Sequence, residues 1–331
     1  METIIKESMN DNVLETAYEL FGIDKKFVEF IGGFENLVYS FKKDNEDYIL
    51  RFVHSSHRSF EQVEAEIEFI DYLDSNKASV STIVLSLHNN IVEKINSGNT
   101  YFSVSVFTKA PGGTIVQEKI TDEFLYTFGK EIATLHVLSK SYKPKYVRHQ
   151  WYDENYIGIG KRNLKKEELC IITKIEEIVL KLRKADRSKE SYGLIHADLH
   201  FGNIFVTNDS MTFFDWDDCS YQPFINDFAV ITFDRVAYTK LDNLERAKRA
   251  NEFLTPILKG YSEVNKINKD WFEYFHLFMK YREAVMYIML RAAGEQVSES
   301  PFGKRYLEGR LDKIMNDIPF LDMVIVLKNI L

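Results

Sequence analysis

The sequence has 331 residues, 45% hydrophobic and 28% charged, a globular balance that excludes a disordered chain. Forty-two Lys and Arg stand against 50 Asp and Glu, a net charge of −8, and no local basic block offsets it, so nucleic acid is not an expected partner. The two cysteines, Cys170 and Cys219, occur in unrelated contexts and cannot build a disulfide framework or a CxxC metal site.

At about 150 residues per domain, the length suggests two domains or lobes. The opening METIIKESMNDN has no apolar stretch of the signal-peptide kind. The apolar runs AVMYIML and MVIVL fall short of the roughly 18 residues a membrane span needs. These features lead to the expectation of a cytoplasmic protein with no membrane partner, monomeric or homodimeric.

In chain order, residues 11–21 read as a short helix ended by Gly22. FVEFIGG, LVYSFKK and DYILRFV then read as three strands separated by the turn segments GGFEN and DNED. FEQVEAEIEFIDYLDSN is a helix, with Ser59 and Gln62 at capping-box spacing. TIVLSL, IVEKI and YFSVSVF come next as strands, the last two joined by an SGNT hairpin turn. After Lys109-Ala110-Pro111-Gly112-Gly113 the periodicity turns helical, over 121–139, 167–185, 224–238, 243–259 and 269–292. The pattern is α+β: an N-terminal lobe, 1–107, of antiparallel sheet with one helix, and a larger, mainly helical lobe, 108–331, joined through 108–113. A cleft between lobes is a favoured ligand site.

The exception to helical periodicity, 193–215, carries the chemistry. In Ile195-His196-Ala197-Asp198-Leu199-His200-Phe201-Gly202-Asn203-Ile204, polar groups are set between short apolar runs, and Phe213-Phe214-Asp215-Trp216-Asp217-Asp218 again delivers carboxylates from an apolar strand. Asn203 follows Asp198 by five residues, and Asp215 follows Asn203 by twelve. Loops positioned by strands are common homes for catalytic residues; a β-hairpin with capped polar turns is the plainer alternative.

HxDxxxxN followed by a hydrophobic pair and Asp resembles the catalytic and metal-binding loops of the protein-kinase-like fold. The form HADLHFGN with FFDWDD is similar to the aminoglycoside phosphotransferase and choline kinase branch, and the likeness in lobe order and motifs extends over about 28–290. The resemblance implies a bilobal kinase-like fold and transfer of the γ-phosphate of ATP, with GTP not excluded, to a hydroxyl of a small molecule. Phosphoryl transfer proceeds through a loose transition state and needs mainly positioning and charge stabilisation. Asp198 would orient the acceptor hydroxyl, and Asn203 and Asp215 would give oxygen ligands to Mg²⁺. His196 would hold the loop, and His200 would lie near the transferred phosphate or the acceptor. Asp227, opening a helix, would accept hydrogen bonds from the catalytic-loop backbone, or simply favour the helix dipole.

On the nucleotide side, Gly32 and Gly33 lie where the family's phosphate-covering loop belongs, though a plain hairpin turn would need no such role. Arg51 occupies the place of the usual strand lysine. Alternation sets it beside Ile49 and Val53, so its charge wants a partner. Glu66 falls inside the apolar arc of the following helix, an unusual place for a carboxylate. The two are therefore paired, with Arg51 reaching the α- and β-phosphates; a solvated arginine and a snorkelling glutamate are the alternative. The segment around Thr108 and Ala110 resembles the hinge that meets the adenine edge.

Ala197 stands where regulated protein kinases carry an arginine, and only twelve positions separate Asp215 from Asp227, too few for a long switchable loop. A constitutive small-molecule kinase is thus favoured over a protein Ser/Thr kinase or a nucleotide-binding pseudokinase. Acceptor-binding candidates are Trp216, Asp217, Asp218 and Trp151. Carboxylates suit a polyamine sugar and aromatic rings a quaternary ammonium. The stripe Trp271, Tyr274, Phe275 and Phe278 reads as core.

Overall fold

The computed structural model describes residues 3–33 and 36–321. Phe34 and Glu35 of the glycine turn and the MVIVL run lie outside the described residues. In chain order the elements are α1 (Thr3–Ser8), α2 (Asp11–Phe21), β1 (Val28–Gly32), β2 (Leu37–Lys43), β3 (Glu46–His54) and α3 (Phe60–Ser75). Next come β4 (Ile83–Val84), β5 (Glu93–Ser97), β6 (Thr100–Thr108), β7 (Gly113–Thr114), α4 (Asp122–Ser141), α5 (Tyr156–Asn163) and α6 (Cys170–Leu182). The remainder is β8 (Tyr192–Ile195), β9 (Ile204–Val206), β10 (Met211–Phe213), β11 (Ser220–Pro223), α7 (Ile225–Ala237), α8 (Asn243–Ser262), α9 (Phe272–Ala292), α10 (Glu295–Ser298), α11 (Pro301–Leu307) and α12 (Arg310–Met315).

The described residues form two compact units. The first holds the chain up to Ile115 together with Ser141–Arg148 and Gly202–Asp217; the second holds Val116–Lys140, His149–Phe201 and the chain from Asp218 onward.

In the first unit the strands form an antiparallel sheet in the order β1-β2-β3-β6-β4, with β5 also pairing β6. The β3–β6 register sets Leu50 opposite Val106 and Arg51 opposite Ser105. Asn10 caps α2 by accepting from Val13 N at 3.2 Å, and Gly22 ends the helix in the left-handed region. Val13, Ala17 and Phe21 of α2 then pack on Leu50, Phe52, Phe102 and Val104. Ser59 caps α3 by accepting from Gln62 N at 3.3 Å. Of TIVLSL only Ile83–Val84 is strand, because β5 takes most of the free edge of β6. A second sheet, β10-β9-β7, joins the hairpin at 204–213 to Gly113–Thr114. Gly112 permits this approach: its φ is +84°, and a Cβ there would lie 2.0 Å from Val206 O.

In the second unit β8 and β11 form an antiparallel ribbon among helices. Helix α9 packs against α5, α6 and α7. Its apolar residues Ala284, Tyr287 and Ile288 meet Ile171, Ile172 and Ile175 of α6. The stripe of Trp271, Phe275 and Phe278 is buried core. No helix among the described residues is long and apolar enough to cross a membrane.

Candidate active site

The loop after β8 belongs to the second unit. β8 is pinned by β11, with Ile195 opposite Ser220, and the chain leaves it through a sharp turn at Ala197, whose φ is +68°. That conformation costs a non-glycine residue roughly 1 kcal/mol or more, so something must hold it. Asp227 does so: its Oδ1 accepts from Ala197 N at 2.9 Å. Its Oδ2 lies 3.0 Å from His136 Nε2, and His136 Nδ1 lies 3.0 Å from the Tyr261 hydroxyl. Asp227, His136 and Tyr261 are all buried, and so is His196 on the loop itself. Asp227→Ala would strand the Ala197 amide and His136 in the interior. A loss of about 2–3 kcal/mol in urea unfolding is expected; an unchanged midpoint would contradict this role.

The turn presents Asp198. Its Oδ1 accepts a hydrogen bond from Arg282 Nη2 of α9, and its Oδ2 lies 3.4 Å from His200 Nε2. Burial alone would raise the Asp198 carboxyl, but the Arg282 cation, followed by His200, holds it well below the usual carboxylate range. Burial works against a charged His200, yet the hydrogen bond and charge of Asp198, helped by Asp234, raise it above its ordinary value. Burial in turn raises Asp234. The site thus offers an ionised carboxylate at ordinary pH, able to accept a hydrogen bond from an alcohol and aim it. Replacing Arg282 by Met removes the main cause of the depression. The acid limb of kcat/KM should then move to higher pH, because Asp198 protonates sooner. A limb that stays in place would mean that Asp198 does not set it.

Asn203 and Asp215 belong to the first unit, at one end of the β9–β10 hairpin. Ile204 pairs with Phe213, and Phe214 N donates to Asn203 O at 3.0 Å, so residues 203 and 215 leave the hairpin side by side. Asp215 takes a left-handed turn with φ of +61°. Both side chains carry hard oxygen donors, the type Mg²⁺ prefers. Among the described residues no group of three or more His, Cys, Asp and Glu could hold a metal. Two protein oxygens with water and phosphate completing the shell is the usual Mg²⁺ arrangement, so the residues present fit that ion.

The next two residues, both acceptor candidates, are buried within the first unit. Trp216 is buried and packs edge-on against Phe69, ring centroids 5.7 Å apart. Asp217 is also buried, its Oδ2 2.6 Å from His57 Nε2 and 3.8 Å from Arg58 Nε, while its carbonyl accepts from Arg148. Burial would raise its carboxyl; His57 and Arg58 instead hold it well below its ordinary value. Its charge is already neutralised within the first unit. Asp218 and Trp151, in the second unit, do line a cavity, together with Glu154, Tyr156, Tyr281 and Arg282.

On β3, Arg51 is buried with Nη1 2.7 Å from Oε1 of a fully buried Glu66. Burial opposes its charge, but Glu66, with Asp217 and Asp215 acting in the same sense, raises the guanidinium above its ordinary value. Its Nε and Nη2 find no acceptor among the described residues, which leaves two donors for anionic oxygens. Gly32 and Gly33 have φ of +132° and +138°; at Gly33 a Cβ would lie 1.8 Å from Asn36 O, so the turn requires glycine there. At the end of β6, Thr108 N donates to Thr82 O and Lys109 N to Asp47 O. The Thr108 amide is therefore not available to an adenine edge, and Ala110, just beyond, is buried.

Sequence reasoning missed Arg282 and Asp234 around the Asp198 carboxylate and Glu154 in the cavity. α9 carries five charged residues, Glu273, Lys280, Arg282, Glu283 and Arg291, so Arg282 does not stand out in the sequence, and nothing in the periodicity names the loop it meets.

The sequence profile of the phosphotransferase enzyme family matches residues 26–264. The amicoumacin kinase of Bacillus subtilis (strain 168) is 30% identical over 313 residues, covering 93% of each chain. Among solved structures, an amicoumacin kinase in complex with AMP-PNP, Ca²⁺ and Ami is 27% identical, covering 98% of this chain and 99% of that one, with a TM-score of 0.90. A microcompartment-associated aminopropanol kinase is 16% identical over 95% of this chain and 100% of that one, with a TM-score of 0.73, a likeness of fold.

Proposed function

The chain belongs to the phosphotransferase enzyme family and is a small-molecule kinase of kinase-like fold, and from that premise we propose that it transfers the γ-phosphoryl group of ATP, with Mg²⁺, to a hydroxyl of an amicoumacin-type antibiotic. One observation carries the reading: Asp198, ionised by Arg282 and His200, belongs to the same unit as the cavity that Arg282 and its own neighbour Ala197 line. Asp198 takes the hydrogen bond of the acceptor hydroxyl and orients its oxygen toward the phosphorus. Trp151 and Tyr281 give the cavity an aromatic wall, which suits an acceptor with an ammonium group.

Asn203 and Asp215 would hold Mg²⁺, which when bound neutralises charge on the nucleotide's phosphates. Arg51, fixed by Glu66, donates to the phosphates through its two remaining nitrogens, Nε and Nη2, a bidentate task that suits a guanidinium better than an ammonium. Gly32 and Gly33 let backbone amides approach the same groups, and the segment after Thr108 borders the adenine. Asp227 and His196 keep the loop in shape, and His200 tunes Asp198. The reaction belongs to the cytoplasm, where ATP is supplied, and the enzyme acts as a monomer or homodimer.

The test is ADP release by the purified chain with Mg-ATP and a panel of amicoumacin, spectinomycin, choline, aminopropanol and a protein Ser/Thr substrate. The expected result is a kcat/KM for amicoumacin about 100-fold above the others, a discrimination that buried polar contacts can supply. Equal turnover of all acceptors, or label on the protein substrate, would overturn the reading.

A further inference from the structure

A second cavity, of about 360 Å³, lies among the end of α7, α8, α11 and α12 of the second unit and shares no lining residue with the cavity of Asp218 and Trp151. Its charge is opposite to that of the chain as a whole. Lys240, Arg246, Arg305, Arg310 and Lys313 line it against one carboxylate, Glu308, so five cations less one anion leave +4 in a protein of net charge −8. Three of these cations, Lys240, Arg305 and Lys313, are exposed and would pass for solvated surface if they stood alone.

Arg246 and Arg310 do not fit that description. Arg310 is buried, with Nη1 2.7 Å from Glu283 Oε1 and Nε 3.1 Å from Tyr306 O. Arg246 is half-buried, and its one hydrogen bond to protein among those of the described residues is a long one, 3.4 Å from Nη2 to Thr239 O. Its Nε is buried with no acceptor among the described residues. Burial, and after it the like charge of Arg310, push the Arg246 guanidinium below its ordinary value. The carboxylates nearby are already committed: Glu283 to Arg310, and Asp242 to the backbone at the start of α8. Both guanidiniums stack on Phe320, at 5.0 and 5.5 Å, which fixes the planes of their donor forks. Tyr238 and Phe302, ring centroids 5.1 Å apart, form an apolar wall beside them.

Like charges gathered in a concavity repel one another and focus a positive potential that only an anion relieves. Paired guanidinium forks match the oxygens of a phosphoryl group, and flexible lysines at the rim add further donors. We propose that this cavity is a second ligand site that binds a small diphosphate anion, with Arg246 as its central donor and Lys240 and Lys313 at its rim.

The test is calorimetric titration of inorganic pyrophosphate into the full chain with its nucleotide site saturated by AMP-PNP and divalent metal. One further equivalent is expected to bind. Its affinity should fall about tenfold or more in Lys240→Gln/Lys313→Gln, which changes exposed side chains, and likewise in Arg246→Gln. Neither change touches the acceptor cavity, so the result does not depend on which acceptor is phosphorylated. No binding up to about 10 mM, a free energy weaker than about 3 kcal/mol, would overturn the proposal, as would equal affinity in the wild type and the lysine variant.

Discussion

Asp198→Asn is expected to lower kcat about 10³-fold, a barrier increase of about 4 kcal/mol, while AMP-PNP binding stays within about twofold of wild type. An amide is nearly isosteric with the carboxylate but carries no charge. It still accepts one hydrogen bond, but it no longer draws the acceptor's hydroxyl proton along a charge-assisted bond, and it no longer balances Arg282. Positioning survives in part, because the Ala197 turn is held by Asp227 and not by Asp198 itself. The residual rate should therefore exceed that of a chain without the loop. Steady-state kinetics alongside nucleotide titration separates the two effects, and a kcat within tenfold of wild type would remove Asp198 from its role.

Glu66→Ala is expected to have the largest effect on stability, about 3–5 kcal/mol in urea unfolding. Both members of the Arg51–Glu66 pair are buried, and removing one leaves an uncompensated charge in the interior. The double change Arg51→Met/Glu66→Leu should cost far less than the sum of the single ones, because no ion is then left without its partner. The nucleotide should suffer differently. In Glu66→Ala the KM for ATP rises because Arg51 loses its orientation. In Arg51→Lys it rises with little loss of stability, because the ammonium keeps the charge but not the fork. A cost for Glu66→Ala under about 1 kcal/mol would show the pair to be dispensable to the fold.

That pair was legible in the sequence because a carboxylate interrupted the apolar arc of a helix and an arginine interrupted an apolar strand, and burial penalises both unless they meet. The same logic did not resolve Asp215 to Asp218. Alternation would assign their directions only if the strand continued, but Asp215 enters the left-handed region and re-aims the three residues after it. Trp216 and Asp217 turn inward within the first unit, and Asp218 lines the cavity of the second. Arg282 lies 84 residues from Asp198. Helical period tells which residues of α9 share a face but not which loop that face meets. The grouping of Gly202–Asp217 with the N-terminal strands rests partly on β7, a two-residue strand pairing β9, too short to leave a pattern in the sequence.

The site divides its labour, with the carboxylate of 198 for the alcohol and the oxygens of 203 and 215 for the cation. Binding of Mn²⁺ to the AMP-PNP complex, monitored by electron paramagnetic resonance, separates these roles without turnover. Asp215→Asn is expected to weaken Mn²⁺ binding about tenfold or more, and Asp198→Asn to leave it within about twofold of wild type. Weak Mn²⁺ binding in Asp198→Asn with undiminished binding in Asp215→Asn would contradict this division.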